Sequence, residues 1–130
     1  MRLRLLGIVL VVACGSSHDP VPPKRPNNEL IVDTFERRPP NGTTAMRFRG
    51  DGSVDVAHSK DKLDRETVAH GSWQLEKDQL TLTYDTGMCA GAGPGVYQVV
   101  LSKLGIHFKK VSDDCAQRAK MDGEVWRRSE

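Results

Sequence analysis

The sequence lacks an apolar run long enough to cross a bilayer as a helix. Its longest such run is residues 5–13, and about nine residues at ~1.5 Å each reach only half of a bilayer core. Arg2 and Arg4 precede the run, and small or polar residues follow it. This pattern is typical of a secretory signal peptide, so we expect residues 1–13 to be removed on export.

Aromatic residues are also scarce. The chain of 130 residues has two Trp, two Tyr and three Phe. Its Val, Leu and Ile content is ordinary, and 38% of all residues are hydrophobic, which excludes both a disordered polymer and a bundle of membrane helices. The length leaves room for one compact domain and for no second sizeable core.

An excess of one charge is missing as well. The formal net charge is +2, and without Arg2 and Arg4 the remaining 17 Lys and Arg balance 17 Asp and Glu. Proteins that bind nucleic acid usually carry a basic patch. We therefore expect no nucleic-acid partner, and composition alone does not name the ligand.

The tetrapeptide Val11-Val12-Ala13-Cys14 ends the predicted signal peptide. It resembles a bacterial lipobox, in which the signal peptidase cuts before a cysteine that carries a diacylglyceryl group and acyl chains such as palmitate. The resemblance implies that Cys14 is lipidated and attaches the protein to a membrane. Gly15, in place of a retention signal such as Asp, implies the outer membrane of a Gram-negative bacterium. An ordinary signal peptide containing a cysteine is the alternative.

The sequence has only three cysteines, which is an odd number. Lipidation accounts for Cys14 and leaves Cys89 and Cys115 as a pair. In an oxidising compartment they are expected to form a disulfide, whose loop of about 25 residues contributes ~3.5 kcal/mol in the loop-entropy model. A soft metal site is the alternative, but the sequence has no Cys-x-x-Cys motif. We predict the disulfide, with no metal and no other cofactor.

Proline marks the segment after Cys14. Four of the seven prolines lie at Pro20, Pro22, Pro23 and Pro26, which predicts a semi-extended tether over residues 14–29. From residue 30 to residue 130 the pattern changes to short apolar alternations with turn signals every eight to twelve residues or so. That spacing is typical of an all-β domain.

The alternation predicts eight strands. They lie at residues 31–35, 44–49, 53–59, 67–75, 80–84, 96–101, 104–111 and 123–128. Residues 60–66 are predicted to form a solvated loop or one helical turn around Leu63, and residues 116–121 a helical turn. Asp113 and Asp114 are expected to cap this second turn and pair with Arg118. Because antiparallel sheets lose their edges by closing, we predict an eight-stranded up-and-down barrel, with a small β-sandwich as the alternative.

Large side chains are predicted to point into this barrel. They are Trp73, Tyr84, Tyr97, Phe35, Phe48 and Phe108. About three inward side chains per strand either fill an eight-stranded barrel or leave a pocket. Trp73, Tyr84, Tyr97 and Phe108 are therefore the candidate residues for core packing or ligand binding. We expect core packing, with a pocket as the alternative.

Several local segments carry a family resemblance. They are Phe48-Arg49-Gly50-Asp51-Gly52-Ser53, Gly71-Ser72-Trp73-Gln74-Leu75, Gln79-Leu80-Thr81-Leu82-Thr83, Gly95-Val96-Tyr97 and Asp113-Asp114-Cys115-Ala116-Gln117-Arg118. Their order resembles that of bacterial lipocalin-like lipoproteins. The resemblance implies a barrel open at one end and a monomeric, non-enzymatic module that binds a small apolar ligand or an envelope partner. Lipocalins place Gly-x-Trp on their first strand. This chain has Asp33-Thr34-Phe35, so we expect Phe35 to plug the floor.

No catalytic constellation is recognisable. The glycine-rich segment at residues 91–95 is not followed by Gly-Lys-Ser/Thr, so it does not predict a phosphate site. Ser72 lies outside any nucleophile elbow. We therefore predict no catalytic residue. The alternative function is an inhibitor of lysozyme or proteases, or an envelope-interaction protein, acting through the loops at residues 60–66 and 86–94.

Overall fold

The protein folds as a closed barrel of eight antiparallel strands in up-and-down order. The computed structural model describes residues 25–38 and 42–129, so the predicted signal peptide, Cys14 and the first part of the predicted tether lie outside the described residues. The strands are β1 (Thr34–Arg37), β2 (Thr44–Phe48), β3 (Ser53–Ala57), β4 (Ala69–Glu76), β5 (Gln79–Gly87), β6 (Gly95–Leu101), β7 (Gly105–Ser112) and β8 (Val125–Arg128). The predicted fold class is confirmed, and the sandwich is excluded.

The first and last strands close the barrel. Phe35 lies opposite Arg128, and Glu36 lies opposite Arg127, while the other side of β8 pairs with β7. Each strand therefore has two neighbours, and the sheet has no open edge.

Alternation along the strands separates the core from solvent. In β6, Tyr97, Val99 and Leu101 are buried, whereas Val100 is 64% exposed. Successive side chains of a strand point to opposite faces, so the apolar residues at every second position fill the barrel. The predicted inward face of this strand is confirmed.

The N-terminal boundary of the barrel differs from the prediction. Residues 31–35 were expected to form the first strand, but the chain first makes a helical turn, α1 (Asn27–Leu30), and β1 begins at Thr34. Two amides of α1 donate to the carbonyl of Pro26, which turns the chain before the sheet starts. Ile31 is fully buried as a result. The predicted tether thus ends earlier than expected, because its last residues pack against the barrel.

The start of β7 also differs from the prediction. The strand was expected to begin at residue 104, but β7 begins at Gly105 and Leu104 is 74% exposed. The hydroxyl of Ser102 accepts hydrogen bonds from the amides of Leu104 and Gly105 at 3.1 and 3.3 Å. These bonds hold Leu104 in the turn. A Cβ at Gly105 would collide with the carbonyl of Trp126.

Two short 3-10 turns connect strands. The first, Lys60–Lys62, lies in the charged segment and precedes Leu63, which is buried with Ala45 and Ala57. The second, Arg118–Met121, precedes β8. Both turns fall inside segments for which the sequence predicts a turn.

One end of the barrel carries the β2–β3, β4–β5 and β6–β7 turns, and we call it the closed end. There α1 is held by the Asn27 side-chain amide, which donates to the Lys77 carbonyl at 2.9 Å. Arg128 donates to the Leu30 carbonyl at 2.9 Å, and its guanidinium carbon lies 4.9 Å from the ring centroid of Phe35. Phe35 is fully buried at this end.

Candidate functional site

The opposite end of the barrel, which we call the cavity end, carries the β1–β2, β3–β4, β5–β6 and β7–β8 connections. It contains a cavity of about 210 Å³. Exposed His58, Gln117 and Lys120 lie at its rim. Apolar side chains form much of its wall, and they are Met46, Val56, Val68, Met88, Met121 and Trp126. An apolar cavity of about 150 Å³ admits benzene, so this one is large enough for a small organic molecule.

Methionine is concentrated at the cavity. The chain has four methionines; Met46, Met88 and Met121 line the cavity, and the fourth is Met1. The unbranched thioether side chain adapts to irregular shapes at low energetic cost. The wall can therefore adjust to ligands of somewhat different shape.

A buried ion pair lies beside the cavity. The Nε and Nη2 atoms of Arg118 donate to the carboxylate of Asp113 at 2.7 and 2.8 Å, and both side chains are 0% exposed. Arg118 also donates to the Gly93 carbonyl at 2.9 Å, and the Tyr97 hydroxyl donates to Asp113. The predicted contact between Asp113 and Arg118 is confirmed, but the predicted capping is wrong, because the turn begins at Arg118 with Gln117 at its N-cap and no side-chain cap hydrogen bond. Asp113 and Arg118 both lie in the β7–β8 connection, and the Arg118 hydrogen bond to Gly93 joins it to the β5–β6 connection.

This network fixes the charges of its members. Burial raises the pKa of the Asp113 carboxyl, but hydrogen bonds from Arg118, Tyr97 and the Cys115 amide outweigh burial and hold that pKa below its ordinary value. Burial raises the pKa of the Tyr97 phenol, and its hydrogen bond to Asp113 raises it further. The carboxylate is therefore charged at neutral pH, and the phenol is protonated.

Besides Arg37 Nε, two hydrogen-bond donors of cavity-lining residues have no partner among the described residues. They are Arg118 Nη1 and Tyr84 Oη. Both residues line the cavity; Arg118 is 1% exposed and Tyr84 is 3% exposed. The guanidinium carbon lies 5.0 Å from the centroid of the Tyr84 ring. Burial raises the pKa of Tyr84, so its hydroxyl keeps its proton and can donate.

Arg37 lines the same cavity and is paired differently. It donates to the Glu124 carboxylate at 3.2 Å and to the Thr44 hydroxyl at 2.8 Å, although its Nε atom has no partner. Its guanidinium carbon lies 5.5 Å from the centroid of Trp126, whose indole N–H donates to Glu124 at 3.1 Å. These contacts hold the indole in the cavity wall.

The predicted disulfide between Cys89 and Cys115 is present, with Cα atoms 5.8 Å apart. It joins the β5–β6 and β7–β8 connections, as the Arg118 hydrogen bond to Gly93 does. Cys89, Gly91 and Gly93 have positive φ angles, a conformation that glycine adopts readily and other residues rarely do. The glycine-rich segment is therefore a series of turns held at the cavity end.

The structure separates the four candidate side chains. Tyr84 lines the cavity, whereas Trp73, Tyr97 and Phe108 are not among the residues that line it. Trp73 packs edge-on against Phe48 with ring centroids 6.0 Å apart. Tyr97 and Phe108 are fully buried and pack edge-on at 6.1 Å. Tyr97 and Phe108 belong to the core, and Trp73 is partly buried and packs against it.

Sequence reasoning missed three features of the site. It placed Trp126 on the last strand but not in a cavity wall, it did not foresee the burial of Arg118, and it did not group the methionines. Met46 lies in β2, Met88 follows β5 and Met121 ends the second 3-10 turn. Their proximity depends on barrel closure, so no local spacing could have revealed it.

A separate charged cluster surrounds Asp55 on β3. Asp55 is 5% exposed and contacts Arg49 and His70 at 2.5 Å each, with Arg47 at 3.6 Å. Burial raises its pKa, but hydrogen bonds from His70 and Arg49 outweigh burial and lower the pKa below its ordinary value. Arg47 and His70 are the cross-strand neighbours of Asp55, so this cluster stabilises strand pairing.

No family model matches this chain, and neither a curated protein nor a solved structure shows significant similarity to it. Among residues 25–38 and 42–129, no group of three His, Cys, Asp or Glu side chains is placed to hold a metal ion. In the same part of the chain, no helix has both the length and the apolar character needed to span a bilayer.

Proposed function

We propose that this protein is a lipid-anchored, extracytoplasmic binding module of the lipocalin-like type, which holds a small, largely apolar ligand at the cavity end and catalyses no reaction. The observation that supports this most is the cavity of about 210 Å³ with its methionine-rich wall. Small-molecule sites are concave and mostly apolar, with a few placed polar groups. This cavity has that composition and is smaller than a site for a drug-sized molecule.

The ligand-binding part of the proposal can be tested with a cavity-filling variant. Val68 lines the cavity, so we expect Val68→Phe to occupy the space a ligand needs. Val100 is 64% exposed on the outer wall, and Val100→Phe is the matched control. Native mass spectrometry of protein purified from its own cells should show a co-purifying small molecule in the wild type and in the control, but not in Val68→Phe.

Titration with toluene covers the case in which a natural ligand is lost during purification. We expect toluene to bind the wild type and Val100→Phe, and to bind Val68→Phe much more weakly. The proposal is wrong if the wild type yields no bound molecule and also fails to bind toluene, or if all three proteins behave alike.

The membrane anchor is the second part of the proposal, and Cys14 in the lipobox-like sequence supports it. Ten residues separate Cys14 from the first described residue, Arg25, and this length of chain spans at most ~40 Å. The barrel would thus remain close to the outer membrane. We expect Cys14→Ala to move the protein into the soluble fraction, while the control Ser17→Ala stays with the outer membrane. Membrane association of Cys14→Ala would contradict the anchor.

An inhibitor or envelope-interaction protein is the alternative function. The observation in its favour is the β5–β6 connection, where the Cys89–Cys115 disulfide and the Arg118 hydrogen bond to Gly93 hold an exposed loop in one shape. A fixed loop binds a partner with a small entropic penalty. This alternative predicts that the purified protein slows a lysozyme or a secreted protease, and failure to do so would remove it.

A further inference from the structure

The orientation of the Arg118 guanidinium leaves one of its nitrogens for a ligand. Its Nε and Nη2 atoms form the edge that faces Asp113, and Nη2 also reaches the Gly93 carbonyl. Because the guanidinium is planar with donors fixed in a fork, Nη1 points away from that edge. Nη1 has no acceptor within the described protein, although Arg118 is buried and lines the cavity.

The Tyr84 hydroxyl supplies a second donor at the same place. It too is buried and without a partner, and its ring lies under the Arg118 guanidinium at 5.0 Å. Buried donors normally have acceptors, because a buried polar group that lacks one loses its hydrogen bonds to water without replacement. Arg118 and Tyr84 are in contact and both line the cavity, so their two free donors match an acceptor with two oxygens.

The charges around the cavity favour an anion. Arg37, His58, Arg118 and Lys120 line it, and no Asp or Glu is among the described residues that do. Asp113, which does not line the cavity, balances the positive charge of Arg118. The buried part of the wall therefore carries little net charge. Lys120 adds positive charge at the rim. An anion of single charge fits this balance better than a cation or a multiply charged phosphate.

We propose that the ligand is a small monocarboxylate with a compact apolar body, whose two carboxylate oxygens accept hydrogen bonds from Arg118 Nη1 and Tyr84 Oη. This inference rests on the proposed binding function and names its ligand class. The methionine side of the wall contacts the apolar body. The volume of about 210 Å³ limits that body to roughly the size of one benzene ring, since benzene fits a cavity of about 150 Å³.

The experiment compares benzoate with toluene, which share a ring and differ in the carboxylate. Both are titrated calorimetrically at pH 7 into the full-length wild type, Tyr84→Phe and Thr83→Val. Tyr84→Phe removes only a hydroxyl that has no partner among the described residues, so it should fold. Thr83→Val is the matched control, because it removes a hydroxyl from the next residue of β5, which does not line the cavity.

We expect the wild type to bind benzoate about tenfold more tightly than toluene. One or two hydrogen bonds to a charged group provide an affinity gain of this size. Tyr84→Phe should lose about tenfold in benzoate affinity and little in toluene affinity, and Thr83→Val should change neither. Near-ultraviolet circular dichroism confirms that each variant is folded.

The other outcomes overturn the inference in distinguishable ways. If toluene binds as well as benzoate, the carboxylate class is wrong and the binding function stands. If benzoate is preferred but Tyr84→Phe has no effect and 0.5 M salt (on the order of a 4 Å Debye length) abolishes the preference, long-range attraction by the rim is responsible. If neither compound binds, the proposed function fails as well.

Discussion

The closed end and the cavity end of the barrel differ in what holds them together. At the closed end, Phe35 packs edge-on against Phe48 at 5.9 Å, Phe48 packs against Trp73 at 6.0 Å, and α1 lies across the opening. At the cavity end, an ion pair between Asp113 and Arg118 is buried instead, and a cavity of about 210 Å³ remains.

The difference shows how a small barrel can keep space for a ligand. Neighbouring groups relax into an apolar void whenever they are free to move. At the cavity end, the disulfide and the Arg118 hydrogen bond to Gly93 attach the β5–β6 and β7–β8 connections to each other, and the ion pair with Asp113 holds Arg118 in place. Moving these segments inward would break those bonds. Aromatic packing therefore fills one end, and a polar framework keeps the other end open.

Removal of the buried carboxylate should give the largest effect on stability. Asp113→Asn leaves the Arg118 charge buried without its counter-charge, and breaking a buried pair in this way costs about 3–5 kcal/mol. The free energy of unfolding in urea at pH 7 measures the loss. If the cavity end depends on this ion pair, Asp113→Asn should also bind ligand more weakly.

Acid should weaken the same pair in the wild type. The pKa of Asp113 in the folded protein lies below its ordinary value of 3.8, so the stability it contributes is fully present at neutral pH and is lost as pH falls through that lowered pKa. Stability should therefore fall steeply below about pH 4, and less steeply in Asp113→Asn. Asp55 also has a lowered pKa and contributes to the loss of stability in acid. The variant Asp55→Asn measures that contribution. An equal acid slope in wild type and Asp113→Asn would contradict this account.

Truncation at the closed end tests the other half of the comparison. Phe35 is fully buried, and Phe35→Ala should lower the free energy of unfolding by about 3–4 kcal/mol. Because Phe35 does not line the cavity, the folded fraction should bind ligand with unchanged affinity. Reduced affinity in fully folded Phe35→Ala would mean that the two ends are coupled.

Loss of the disulfide should have the next largest effect. The double variant Cys89→Ser with Cys115→Ser should be less stable by about 2–4 kcal/mol, as judged by the urea midpoint. Reduction of the wild type should give the same shift, which controls for the substitutions. Ligand affinity should fall too, because the bond attaches the segment next to Met88. Unchanged affinity would remove the disulfide from the polar framework.

Removing the hydroxyls of the two tyrosines at the cavity end should give the smallest effects on the free energy of unfolding, and the two effects should differ in sign. The Tyr97 hydroxyl donates to Asp113 and lies 3.1 Å from the Arg118 carbonyl oxygen, so Tyr97→Phe should cost about 1–2 kcal/mol. The Tyr84 hydroxyl has no partner in residues 25–38 and 42–129, so Tyr84→Phe should leave stability unchanged or raise it by about 0.5 kcal/mol. Equal destabilisation by both variants, in thermal unfolding, would show that Tyr84 is also part of the framework.

Much of the fold could be predicted from the sequence, because the strands follow from local alternation of apolar and polar residues. The alternation of side chains along β6 predicted that Tyr97 points inward. The odd number of cysteines, with Cys14 assigned to lipidation, predicted the disulfide. The two exceptions occur where local hydrogen bonds compete with strand formation. Hydrogen bonds to the Pro26 carbonyl turned the chain before β1, and the Ser102 hydroxyl held Leu104 outside β7.

The site was less accessible to prediction. Asp113 and Arg118 are close in sequence, so their pairing could be foreseen, but their complete burial depends on two connections that meet only in the folded barrel. Tyr84 and Trp126 come from strands far apart in sequence. Both were recognised as large side chains, and only the three-dimensional arrangement shows that a cavity lies between them.

Methyl NMR of methionine tests the central claim most directly. Met46, Met88 and Met121 all line the cavity, so protein labelled with ¹³C at the methionine methyl groups reports on the site from three directions. Titration with benzoate should shift all three signals with one common dissociation constant, and Val68→Phe should abolish the shifts while Val100→Phe keeps them. If the three signals stay in place while benzoate or toluene reaches millimolar concentration, the cavity end is not a binding site.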